Sequence, residues 1–158
     1  MTLFHRDGEH VVATLAPHER GLVVDLAGQV AGLLERGDRS DGAVARLLPS
    51  AYPDDAEADE EFRRWTSDDL TAHKVDGART VVRLLGGDDE GASSVVLDDE
   101  AQQTLLRTLA DLRLVLGQRL GAGPDGFPPT TDEHEATMRD VFDWLAWVQE
   151  SLLQTIMR

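Results

Sequence analysis

The chain has 158 residues, 41% hydrophobic and 28% charged, with no cysteine and a formal net charge of −15. That size and balance suit one globular domain with a single core. The missing thiol excludes disulfides, thiolate metal sites and thiol redox chemistry by this chain alone, and 30 acidic against 15 basic side chains make nucleic acid a poor partner, because its affinity comes largely from neutralised phosphates.

From the N-terminus, Leu3-Phe4-His5-Arg6 and Val11-Val12-Ala13-Thr14-Leu15 flank Asp7-Gly8 and predict a β-hairpin. An isolated hairpin is only marginally stable, and the β-prone run Ser93 to Leu97 is a candidate to pair with it. Leu22, Leu26, Val30, Leu33 and Leu34 predict a helix over 19–36, ended by Gly37. Ala43 to Leu48 makes a short second helix, stopped by Pro49. A third spans 54–65, with Ala58, Phe62 and Trp65 on one side and acid-to-arginine pairs four residues apart on the surface.

Thr66, with Asp69 three residues on, starts a helix over 67–85 striped by Leu70, Lys74, Ala78, Val81 and Leu85. Asp98 caps a helix over 99–120, whose stripe of Leu105, Leu109, Leu112, Leu116 and Leu120 is the clearest in the chain. Gly117 inside it costs about 1 kcal/mol relative to alanine, which implies close approach of a neighbouring helix. Thr130 and Glu133 suggest a capping box for a last helix over 132–157. Its apolar residues go almost all round, so it is either the centre of the bundle or one face of it buries against a second copy, as a homodimer. The reading is a mainly α, single-domain helical bundle over residues 1–158 with a small N-terminal β-hairpin. Leu26, Phe62, Leu109, Leu112, Leu116, Phe142, Leu145 and Leu152 are expected in its core.

Chemistry is sparse. His5 and His10 are candidates to face each other across the hairpin, but two imidazoles without a carboxylate make a weak metal site. Asp132-Glu133-His134-Glu135 reads as an acidic first turn complementing a helix dipole. Asp38 to Gly42 does not fit an EF-hand, and neither a nucleophile elbow nor a phosphate-binding glycine loop is present. Gly28 and Gly32, four apart, suggest close helix packing. No catalytic, cofactor-binding or metal-binding residue is assigned, and a non-enzymatic protein is expected. Trp65, Trp144 and Trp147 fall in helical stripes and offer no base-stacking surface.

Arg113 and Arg119 flank the leucine stripe, where a buried guanidinium needs a carboxylate. Glu61 and Glu150 are the leading candidates. These four residues form either interhelix ion pairs or a recognition groove for an acidic group of a partner. No apolar run approaches the roughly 20 residues of a membrane span, and the first residues lack the basic-then-apolar order of a signal peptide. A cytoplasmic location away from membranes is expected.

Three segments carry a resemblance: Arg46-Leu47-Leu48-Pro49-Ser50-Ala51-Tyr52-Pro53-Asp54-Asp55 running on to Glu61-Phe62-Arg63; Asp111-Leu112-Arg113-Leu114-Val115-Leu116-Gly117-Gln118-Arg119-Leu120-Gly121; and Phe142-Asp143-Trp144-Leu145 with Gln149-Glu150-Ser151-Leu152. In order and spacing, over roughly residues 2 to 156, they resemble the actinobacterial AosR-like family of mainly helical oxidative-stress regulators, long catalogued as a domain of unknown function. The resemblance implies regulation of oxidative-stress and cysteine-biosynthesis genes, an extracytoplasmic-function sigma factor as protein partner, and a cysteine-pair switch. This chain has no cysteine, so that switch cannot operate in it. The charge favours action through protein contacts with a basic partner over direct DNA binding. The alternatives are an adaptor in proteolysis or sulfur metabolism, and a small-molecule-binding helical domain.

Overall fold

A computed structural model describes residues 3–38, 40–48, 57, 68–86 and 94–158. β1 (Phe4–Asp7) and β2 (His10–Thr14) form the hairpin, with Asp7 paired to His10. The two-residue loop is therefore Gly8-Glu9, one place later than the Asp7-Gly8 reading. Gly8 has φ +64° and no described non-glycine residue has positive φ, the order of signs of a type II′ turn. β3 (Ser94–Leu97) pairs antiparallel with β2, giving the strand order β1-β2-β3.

Alternation along the strands sorts the faces. Phe4, Val11, Ala13 and Leu97 are buried, whereas His5, Val12 and Val96 stand in one cross-strand row on the other face. His5 is thus opposite Val12, and His10 is opposite Asp7. The two imidazoles do not face each other.

α1 (Pro17–Arg36) begins with proline at its first turn, where a fixed φ is favourable and no N–H is needed. The Glu19 carboxylate accepts from the Ala16 N–H at 2.8 Å, and Gly37 ends the helix in the left-handed region at φ 64°. α2 (Gly42–Leu47) is capped by Asp41, which accepts from the Ala43 N–H. α3 (Asp68–Leu85) lies along α1, and α4 (Asp99–Arg119), capped by Asp98, packs against α1, α2, α3, β3 and the last helix, α5 (Glu133–Ile156).

The leucine-rich helix α4 is the hub. Leu105, Leu109 and Leu112 are buried in a core that draws on every described element. Of the expected core residues, Leu26, Leu109, Leu112, Leu116, Leu145 and Leu152 are buried, while Phe142 is only partly buried. Phe62, Thr66 and, apart from Glu57, the helix expected over 54–65 lie outside the described residues.

Two expectations for α5 need correction. It packs chiefly on α4 and β1, at the edge of the bundle and not at its centre. Its cap is Asp132, which accepts from the His134 and Glu135 N–H groups at 2.8 and 3.1 Å, and not Thr130. Thr130 instead accepts from the Asp132 N–H and donates to Glu135.

Three side chains tie the layers together. Buried Gln102 donates from Nε2 to the Leu97 carbonyl at 3.0 Å and the Glu9 carbonyl at 3.2 Å, locking α4 to the sheet. Arg6 donates to the Thr155 and Ile156 carbonyls, a cation at the negative end of the α5 dipole. Arg20 donates from Nε to the Leu85 carbonyl at the end of α3.

Candidate functional site

The arginines of α4 have different partners. Arg119 forms a two-pronged ion pair with Asp41, both contacts at 2.7 Å. This joins the end of α4 to the cap of α2. The Arg119 guanidinium, helped by the Ala43 N–H, holds the Asp41 carboxyl down at about 2, and Asp41 in turn raises Arg119.

Arg113 has no carboxylate partner among the described residues. Its Nη1 donates to the Gln149 side-chain oxygen at 2.8 Å, and its guanidinium lies over the Phe142 ring, 5.1 Å from the centroid. Its Nε–H is enclosed without an acceptor. Of the two proposed carboxylates, Glu150 is exposed and accepts from Gln154 one turn along its own helix. Glu61 lies outside the described residues.

Phe142 belongs to a ladder of two rings flanked by two cations. Its ring meets Phe127 edge-on, 5.2 Å between centroids and 87° between planes. Arg139 lies over Phe127 at 5.2 Å and donates to the Pro128 carbonyl. Gly117 makes room for the ladder: a Cβ there would sit 3.3 Å from the Phe142 ring. Phe127 and Arg139 were not singled out in the sequence, where a lone phenylalanine in a Gly/Pro loop was the only signal. Beside these rings is a shallow pocket of about 310 Å³, lined by Arg46, Arg113, Leu114, Gly117, Gln118 and Phe142 among others, with no acid among its described lining residues.

Two further grooves border α4. One of about 610 Å³ runs between α3 and α4 and has charges of both signs. Lys74 and Asp111 pair across it at 2.8 Å, and Gly77 admits the Thr104 and Thr108 side chains. The other, about 310 Å³, lies between α1 and α4 beside Gly28 and Gly32. A Cβ on Gly28 would meet nothing within 4 Å, and one on Gly32 only its own helix's Arg36. Neither glycine serves close helix packing among the described residues.

The two tryptophans of α5 differ: Trp144 packs partly buried against the core, and Trp147 stands on the outer face. Trp147 is 52% exposed. On a helix, residues three, four and seven apart share a face. Asp143 and Glu150 thus bracket Trp147 by one turn each, and Asp140 stands two turns before it; all three are exposed. None of the three forms an ion pair among the described residues. The stripe is a large aromatic surface framed by unneutralised carboxylates.

Among the described residues, no three His, Asp or Glu side chains group as metal ligands, and no helix is long and apolar enough to cross a membrane.

Fold and site together define a mainly helical, acidic domain with a small antiparallel sheet, arginine-bearing pockets along α4 and an exposed acidic–aromatic face on α5. The chain belongs to the family described as a domain of unknown function, DUF2017, whose model matches residues 1–156. Proteins from Mycobacterium tuberculosis and Mycobacterium bovis named "Oxidative stress regulator AosR" are 29% identical to it over 184 aligned positions, covering 96% of this chain and 84% of theirs. No solved structure gives a significant match.

Proposed function

We propose that this protein is a non-enzymatic regulator of transcription that works by binding a basic protein surface through the outer face of α5. The carrying observation is Trp147, half-exposed between Asp143 and Glu150. Exposed tryptophans are strongly enriched among residues that dominate interface energetics. Carboxylates around one select a lysine- or arginine-bearing partner and speed its encounter. The whole-chain charge of −15 reinforces that choice. It also disfavours a homodimer on this face, since each copy would set its own carboxylates against the other's, and like-charge juxtaposition costs several kcal/mol.

The regulatory part of the reading is supported by the mycobacterial relatives, which are named for oxidative stress regulation. A sigma factor is the partner the family resemblance suggests, and its DNA-facing surface has the required charge. With no cysteine in the chain, a signal would arrive through the partner or through abundance, not through a thiol of this protein.

Calorimetric titration of the purified chain with an extracytoplasmic-function sigma factor from the same organism tests this. Binding without DNA is expected, and Trp147→Ala should weaken it by about 30-fold, the effect of a 2 kcal/mol hot spot. Equal affinity of the wild type and Trp147→Ala would refute the assigned face.

A further inference from the structure

We infer that the groove between α3 and α4 binds a free α-amino acid with a small polar side chain. Its floor holds two threonines of α4, Thr104 and Thr108, which are only 8% and 4% exposed. A helix threonine can donate to the carbonyl one turn back, as Thr80, Thr137 and Thr155 do here. Thr104 and Thr108 do not. Among the described residues neither hydroxyl has a partner, and neither is sealed from the groove. Buried polar groups without partners are costly and rare. Two of them one turn apart on one wall mark hydrogen bonds left for a ligand.

Gly77 of α3 keeps this floor open. A Cβ there would stand 3.7 Å from both the Thr108 hydroxyl and the Thr104 methyl, so any longer side chain would cover them.

The walls supply charge of both signs. Lys74 pairs with Asp111 at 2.8 Å, and Gly77 meets Thr104 and Thr108, so α3 and α4 run antiparallel. In that register Asp76 on one wall and Arg107 on the other stand at nearly the same height, within about one turn of the threonines. Both are exposed and line the groove, and neither forms an ion pair among the described residues. Toward the ends the polar groups are engaged within the chain: Lys74 with Asp111, Arg83 donating to Thr80 at 2.9 Å, and Asp98 accepting from the Ala101 N–H. His73 and Glu100 lie about one turn further out. Open hydrogen-bonding capacity is thus concentrated at mid-groove. An α-amino acid presents the matching set, with its carboxylate toward Arg107, its ammonium toward Asp76 and a small polar side chain over the hydroxyls. The volume of about 610 Å³ is in the range of small-molecule sites. The groove belongs to α3 and α4, apart from the outer face of α5, and its test does not depend on that face.

The test is an NMR titration of backbone amides in the full chain with L-serine, at about 150 mM salt to screen the chain's general attraction for cations. The Gly77, Thr104 and Thr108 amides should shift and saturate with Kd on the order of 1 mM, as expected for so small a ligand. L-serinamide lacks the carboxylate and N-acetyl-L-serine lacks the ammonium, and each should bind at least about 5-fold more weakly. Thr108→Val removes the hydroxyl at nearly constant volume. It should melt no lower than the wild type, since no bond within the chain is lost, and should bind L-serine about 10-fold more weakly, the effect of one hydrogen bond to a charged group. Arg107→Gln, on the exposed wall, should weaken binding by about 3-fold. Shifts that do not saturate, equal affinity for L-serinamide or N-acetyl-L-serine, unchanged affinity in either variant, or marked destabilisation by Thr108→Val would overturn the proposal. So would tighter binding of N-acetyl-L-serine methylamide than of L-serine, which would make the groove a seat for the peptide backbone of another protein.

Discussion

Gly117→Ala should destabilise the protein although it improves helix propensity. In an unconstrained helix interior the added methyl gains about 1 kcal/mol. Here the new Cβ would stand 3.3 Å from the Phe142 ring and 3.7 Å from Ala122, where relaxed carbon contacts lie at about 3.5–4.0 Å. The ring must retreat by a few tenths of an ångström. It has little freedom to do so, because Phe127 meets it edge-on and Arg113 covers one face. Overpacking of this kind costs about 1–3 kcal/mol, so the net change is a loss of about 0–2 kcal/mol. The decisive assay is urea denaturation of a double-mutant cycle. In the Phe142→Leu background the obstacle is smaller, and Gly117→Ala should there stabilise by about 1 kcal/mol. A coupling of about 1–3 kcal/mol between the two positions follows. Equal stabilisation by Gly117→Ala in both backgrounds would refute the ladder as the reason for the glycine.

Other perturbations follow from the same contacts. Gln102→Met should cost about 1–3 kcal/mol, because the Leu97 carbonyl loses its donor in an enclosed place; urea unfolding measures the loss, and faster amide exchange in β2 and β3 locates it. Asp41 is held at about 2 against an ordinary 3.8. A depressed folded-state pKa contributes stability that is complete above about 3.8 and disappears as pH falls through about 2. Wild type should therefore lose an increment of stability across that window that Asp41→Asn lacks, as read by thermal melts in acid; parallel pH curves would contradict it. Diamide treatment of the purified chain, with the reagent removed before partner is added, should leave its fold and its partner binding unchanged, since it has no thiol to oxidise; a reversible diamide-dependent change in the purified chain would overturn this.

What the sequence disclosed and what it hid have physical causes. Strand alternation around Gly8 and the leucine stripe of α4 are local periodicities, and both elements form where those patterns lie. The hairpin loop moved by one residue because Asp7 pairs with His10, and pairing register is a two-strand property. Periodicity shows that α5 has apolar residues on many sides but cannot rank helices by depth. α4 took the centre, and Trp147 was left at the surface. The Arg119 partner was hidden for a similar reason: Asp41 lies 78 residues away and reads locally as a helix cap, which it also is. Arg113 was legible as a guanidinium beside a core stripe. Its settling on Phe142 and Gln149, with Nε left over, depends on how α5 crosses α4, which no local pattern encodes.

The central claim is that the carboxylates around Trp147 hold a basic partner. The most direct measurement is the sigma-factor titration repeated with Asp143→Lys/Glu150→Lys at two salt concentrations, about 50 and 150 mM, over which the Debye length falls from roughly 14 to 8 Å. Wild-type binding should weaken several-fold with salt through a slower association rate, and the charge-reversed variant should bind at least about 10-fold more weakly at low salt while melting like the wild type. Wild-type affinity and salt dependence retained in a folded Asp143→Lys/Glu150→Lys variant would contradict the account.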